Sequence, residues 1–67
     1  MSVAKVVEIS SASDRGFEDA VNQGITRASK TLKNIKGVWI KEQSVRVENN
    51  RITEYRVDMK VTFILDN

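Results

Sequence analysis

The chain has 67 residues, 40% of them apolar and 30% charged, with a net charge of +2 from 11 basic and 9 acidic side chains. That length allows one domain, 1–67, which buries only about 60% of its unfolded surface, and the absence of Cys and His excludes disulfides, thiolate metal sites and imidazole chemistry. Self-association is the remaining remedy for so small a core, while scattered basic residues and the lack of a long apolar run argue against nucleic-acid and membrane partners.

Residues 3–9, Val-Ala-Lys-Val-Val-Glu-Ile, are rich in β-branched side chains and predict a strand. The stretch 10–13 breaks it. The opening Met-Ser-Val-Ala-Lys lacks the apolar centre of a secretory leader, so the expected location is the cytoplasm.

A helix follows. Ser13 is its expected N-cap, with Asp14 in the first turn, where a negative charge suits the helix dipole. Phe17, Ala20, Val21, Gly24, Ile25, Ala28, Leu32 and Ile35 recur at helical spacing as one apolar stripe of about five turns. Lys30, Lys33 and Lys36 fall in the final turns, and Gly37 is the expected terminator. Gly16 and Gly24, inside this helix, point to close packing on a sheet.

Two strands complete the chain, over 38–47 and 52–65. Asn49 and Asn50 between them tolerate positive φ and fit a two-residue hairpin turn. In the last strand Thr53, Tyr55, Val57, Met59, Val61, Phe63 and Leu65 form one face, the expected core side. The turn then sets Val47 against Ile52, Gln43 against Arg56, Lys41 against Asp58 and Trp39 against Lys60. The expected fold is α+β in β-α-β-β order. Strands joined by a helix on one side run parallel, so the long third strand lies in the middle. The result is a three-stranded antiparallel sheet of order 1-3-2 wrapped around one long helix, with one dry face and one open face.

This register puts Trp39 on the open face with Gln43 and Arg56. A large apolar indole among charges calls for a cover. A neighbouring subunit would serve, and so would a flat ligand stacked on the indole with Gln43 and Arg56 at its edge. The two covers are compatible, since a site can form where subunits meet. The same register places Glu42, Ser44 and Arg46 on the core side, either as a strand end overhanging the helix or as a polar contact between subunits.

No active site or metal site is predicted. A nucleophile triad needs a base, and His is absent. No Gly-rich phosphate loop is present, and the acidic residues are too scattered for an EF-hand. An RNA-reading sheet would show several aromatic side chains on its open face, whereas Tyr55 and Phe63 fall on the core side.

The sequence resembles the dodecins, a family of small flavin-binding proteins. The resemblance runs through the opening strand, Ser13-Asp-Arg-Gly-Phe17, Arg27-Ala-Ser-Lys-Thr-Leu32, Trp39 with Arg46 seven residues on, Glu54-Tyr-Arg-Val57 and Lys60-Val-Thr-Phe63. It implies a hollow homododecamer that stores or sequesters flavin (riboflavin or FMN) and quenches its photochemistry without turnover. It implies paired flavins sandwiched between indoles near two-fold axes, with Trp39 as the stacking residue and Arg46 in the ligand region. Arg56 stands where members carry a Gln that bonds the flavin's pyrimidine edge. With no acceptor, Arg56 bonds only carbonyl oxygens or phosphate. Ile64 stands where some bacterial members carry an Arg linked to phosphate-bearing ligands, so FMN or coenzyme A binding is not carried over from that residue. A branch lacking the Trp is associated with calcium, and Trp39 sets this chain apart from it. The alternative reading is a dodecin-like shell with little flavin affinity, in which Trp39 anchors subunits and another ligand or a cation is bound.

Overall fold

The computed structural model describes residues 2–65 and contains β1 (Ala4–Ser13), α1 (Phe17–Ala28), β2 (Ile35–Glu48) and β3 (Arg51–Ile64). β3 occupies the centre of the sheet, antiparallel to β1 on one side and β2 on the other, so the order is β1-β3-β2. The fold class and strand order are those expected. Asn49 and Asn50 have φ of 52° and 63°. Two consecutive left-handed residues define a type I′ turn, whose twist matches that of the flanking strands.

The helix departs from expectation at both ends. Ser13 is the last residue of β1 rather than the N-cap, which is Gly16, at φ 157° and ψ 172°. That backbone region is essentially restricted to glycine. The first-turn acids are Glu18 and Asp19, not Asp14. Ser13 still works at this junction. Its hydroxyl donates to the Asp19 carboxylate and accepts from the Arg15 N–H, while the Gln23 amide donates to the same carboxylate oxygen. One side chain of α1 is thereby tied to the end of β1. The Ser13 hydroxyl holds the Asp19 carboxyl below its usual range; desolvation opposes it, and the Gln23 amide and the charge of Arg15 add to the lowering.

At the other end α1 stops at Ala28, well short of Gly37. The chain tightens into i→i−3 bonds, from the Lys30 N–H to the Arg27 carbonyl and from the Thr31 N–H to the Ala28 carbonyl. The Ser29 and Thr31 hydroxyls donate to the carbonyls of Thr26 and Ala28. Such side chains offer the backbone an alternative to further helix. Asn34, at φ 63°, then turns the chain into β2. Leu32 keeps its place in the apolar pattern because its N–H still bonds the Ala28 carbonyl. Ile35, Lys36 and Gly37 belong to β2 and Lys33 to the connection before it, so of the three lysines Lys30 alone stands beside the end of α1.

The core is small. Ala20, Val57 and Met59 form its buried centre, with Ile9, Phe17, Val21 and Val38 packed around them. Phe17 meets Tyr55 edge-on, with ring centroids 5.2 Å apart at 79°. Gly24 permits this close approach, because a Cβ there would lie 2.5 Å from the Met59 terminal methyl and 3.1 Å from the Ser11 Cβ. The helix lies across β1 and β3. The radius of gyration is 13.8 Å and the extents are 52 × 19 × 13 Å. A globular domain of this length has a radius near 11 Å. The accessible surface is 5225 Å², against about 4,300 Å² for a compact monomer of 7.6 kDa.

Two predictions follow from these contacts. A carboxylate whose pKa is depressed on folding stabilises the fold above its unfolded pKa, and that contribution is lost as pH falls through the folded value. Ser13→Ala brings the Asp19 pKa back towards 3.8. Its acid-unfolding midpoint therefore moves to higher pH, with the carboxyl shift read by NMR titration. For Gly24, the Met59 methyl can swing aside for one methyl group. Gly24→Ala should stay within about 1 kcal/mol of the parent, since it gains helix propensity. Gly24→Val should lose about 1–3 kcal/mol by overpacking, measured by urea unfolding.

Candidate functional site

Alternation along β3 divides the sheet. Val57, Met59 and Val61 are buried under the helix, so Glu54, Arg56, Asp58, Lys60, Thr62 and Ile64 point to the open face. Trp39 pairs with Lys60 and is 74% exposed, the most exposed large apolar side chain among the described residues. The neighbouring row across the sheet is Gly37, Thr62 and Val6, and the row through Trp39 ends on Glu8 of β1.

The hairpin register agrees with expectation at both ends and departs from it in the middle. Trp39 faces Lys60 and Val47 faces Ile52, as predicted. Between them, Glu42 pairs with Asp58, Gln43 with Val57, Ser44 with Arg56, Val45 with Tyr55 and Arg46 with Glu54. A bulge between Ile40 and Glu42 leaves Lys41 as an extra residue on β2. A second irregularity, at Arg46/Val47, leaves Thr53 as an extra residue on β3 and restores the register. Between the two, every β2 side chain changes face. Gln43 therefore lies on the helix side opposite Val57 and is not beside Arg56 or Trp39. Glu42, Ser44 and Arg46 lie on the open face, not on the core side. The physical reason is the apolar contact along the hairpin: the shift takes Glu42 and Arg46 off the helix side and brings Val45 there, opposite Tyr55.

Of the predicted site residues, Trp39, Arg46 and Arg56 share the open face, and Gln43 does not. Trp39 and Arg56 are still well apart. Arg56 is four residues along β3 from the Trp39 partner, about 13 Å at strand rise. The space between them is polar. Lys41 Nζ lies 3.3 Å from Glu8 Oε1, the Ser10 hydroxyl donates to Asp58 Oδ1 at 2.8 Å, and Arg56 Nη2 donates to Glu54 Oε2 at 3.3 Å. Lys41, Arg46, Arg56 and Lys60 are set against Glu8, Glu42, Glu54 and Asp58, so the face is close to neutral. Trp39 stands at the margin of this charged area, with Lys60 and Glu8 in its own row and the uncharged Gly37, Thr62 and Val6 in the next. Among the described residues no group of three or more acidic, His or Cys side chains is placed to hold a metal ion, and no helix is long and apolar enough to cross a membrane.

Sequence reasoning missed the place of Gly37, which lies in β2 two residues before Trp39 on the same face. The usable signal was Asn34, the residue between the two lysine-containing stretches that accepts positive φ most readily after glycine.

The Dodecin family model matches residues 3–66. The dodecin of Thermus thermophilus is 33% identical over 64 residues, which cover 96% of this chain and 93% of that protein. The solved structure of the dodecin from Streptomyces davaonensis is similar with a TM-score of 0.94 at 33% identity, covering 98% of this chain and 97% of its own. A calcium-chelating antigen from Mycobacterium tuberculosis, a calcium dodecin, is similar with a TM-score of 0.82 at 28% identity, covering 96% and 91%.

Proposed function

The chain belongs to the dodecin family, and from that premise we propose that it binds flavin non-covalently on the open face of its sheet, with the Trp39 indole as the stacking platform. The observation that carries this reading is the lone Trp at 74% exposure on the open sheet face, in the row of Lys60 and Glu8 and beside the uncharged row of Gly37, Thr62 and Val6. A fused ring on an indole buries apolar area on both partners, and aromatic pairing adds about 0.5–1.5 kcal/mol beyond that.

The site forms between copies of the chain. An elongated protomer with surface beyond that of a globular monomer supports association, and the excess is close to the ~800 Å² each partner contributes to a standard interface. The separation of Trp39 from Arg56 supports a second copy as the source of edge contacts to a ring stacked on Trp39. Arg56 and Arg46 then serve carbonyl oxygens or phosphate, and Gln43, on the other face, is left out of the site. The assembly is the family's hollow dodecamer, cytoplasmic in location. Its role is storage and quenching of riboflavin or FMN rather than turnover, because an indole held against an excited flavin returns it to the ground state and the chain has neither His nor Cys to run acid–base or thiol chemistry.

A second reading has the same observation behind it: the indole anchors neighbouring subunits of a shell that has little flavin affinity. Trp39→Ala separates the two. The flavin reading expects quenching of riboflavin fluorescence by the parent at micromolar protein and a loss of affinity of about tenfold in the variant, with assembly retained on size exclusion. Dissociation of the variant favours the anchor. The charge balance makes a further prediction. Riboflavin and FMN should bind within roughly threefold of one another, under about 1 kcal/mol. Glu54→Gln, which frees Arg56, should shift that ratio towards FMN by a factor of up to about five, the range of a surface ion pair.

A further inference from the structure

Gly37 has no reason to be glycine within the protomer. It lies inside β2 opposite Thr62. Its φ is not positive, since Gly16 is the glycine with that conformation, and a Cβ built on it meets nothing within 4 Å. The neighbouring irregularity at Lys36 does not require it either, because the kind of bulge that selects glycine does so through a left-handed residue, and Gly37 is not one. Glycine weakens a strand by chain entropy and by the missing side chain. A strand glycine with neither a dihedral nor a packing cause marks a close approach to the backbone from outside.

Its surroundings say what approaches. Trp39 is the next residue of β2 on the same face, about 7 Å along the strand. Across the sheet, Gly37, Thr62 and the 52%-exposed Val6 make a row about 10 Å wide. All three are short, uncharged positions, so beside the indole lies a low floor. We propose that Gly37 is the specificity-determining residue of the Trp39 site: its missing side chain leaves a slot beside the indole, and the far end of a fused three-ring ligand lies in that slot over the β2 backbone and Thr62. This rests on the flavin reading and deepens it. A one- or two-ring compound is accommodated by the indole alone, whereas three fused rings overhang it. A side chain at position 37 stands where the overhanging ring lies.

The test uses the full chain and its Gly37→Ala and Gly37→Val variants. Riboflavin is titrated by fluorescence quenching, assembly is read by size exclusion, and stability by thermal unfolding. The slot expects Gly37→Val to weaken riboflavin binding by about tenfold or more and Gly37→Ala by less. Assembly should be unchanged and the melting temperature equal or higher, because a β-branched residue suits a strand. Riboflavin binding by Gly37→Val as tight as the parent's overturns the slot and leaves the flavin reading standing. A Gly37→Val variant that dissociates or melts lower shows that the glycine serves subunit packing, which also overturns the slot. A parent that leaves riboflavin unquenched at micromolar concentration overturns both.

Discussion

A twelve-residue helix has to serve strands of fourteen residues, and most of the molecule follows from that mismatch. The helix is about 18 Å long and the strands about 46 Å. It is laid across β1 and β3, so it covers less than half of the sheet's length. On its own side, Ile40 and Val45 of β2 are each left 39% exposed. On the other side none of the described residues covers the sheet. A chain built this way leaves part of its apolar surface uncovered, and in the proposed assembly those positions are the ones a second copy would cover.

Most of the fold was legible in the sequence because its strongest signals are local. The two asparagines at 49 and 50 specify one turn type, and the unbroken alternation from Thr53 to Phe63 specifies which face of the central strand is buried. The end of the helix was hidden by a coincidence of periods. Leu32 and Ile35 continue the helical stripe, yet the hydroxyls of Ser29 and Thr31 and the left-handed Asn34 end it first. No periodicity argument weighs a side-chain hydrogen bond against another helical turn.

The candidate site was legible in its centre and not in its margins. Trp39 follows from the turn by counting, since the register next to it is the unshifted one. Gln43 and Arg46 lie where the count is displaced by one residue, and a single displaced residue exchanges the faces of every side chain behind it. The sequence does carry a trace of the displacement. Glu42, Ser44 and Arg46 are implausible neighbours for the helix side, and a shift of one residue moves all of them to the open face together while bringing Val45 under Tyr55.

The two irregularities between Trp39 and the hairpin turn cancel. Lys41 is surplus on one strand and Thr53 on the other, so Trp39 and the Asn49-Asn50 turn keep the same mutual alignment that a perfectly regular ladder would give them. The segment between them is thus insulated from both ends. Loss or gain of a residue in this stretch is absorbed by removing or adding one irregularity, and neither the indole nor the turn has to move. The hairpin arm is a part of the chain whose length evolution can edit in steps of one residue at little cost.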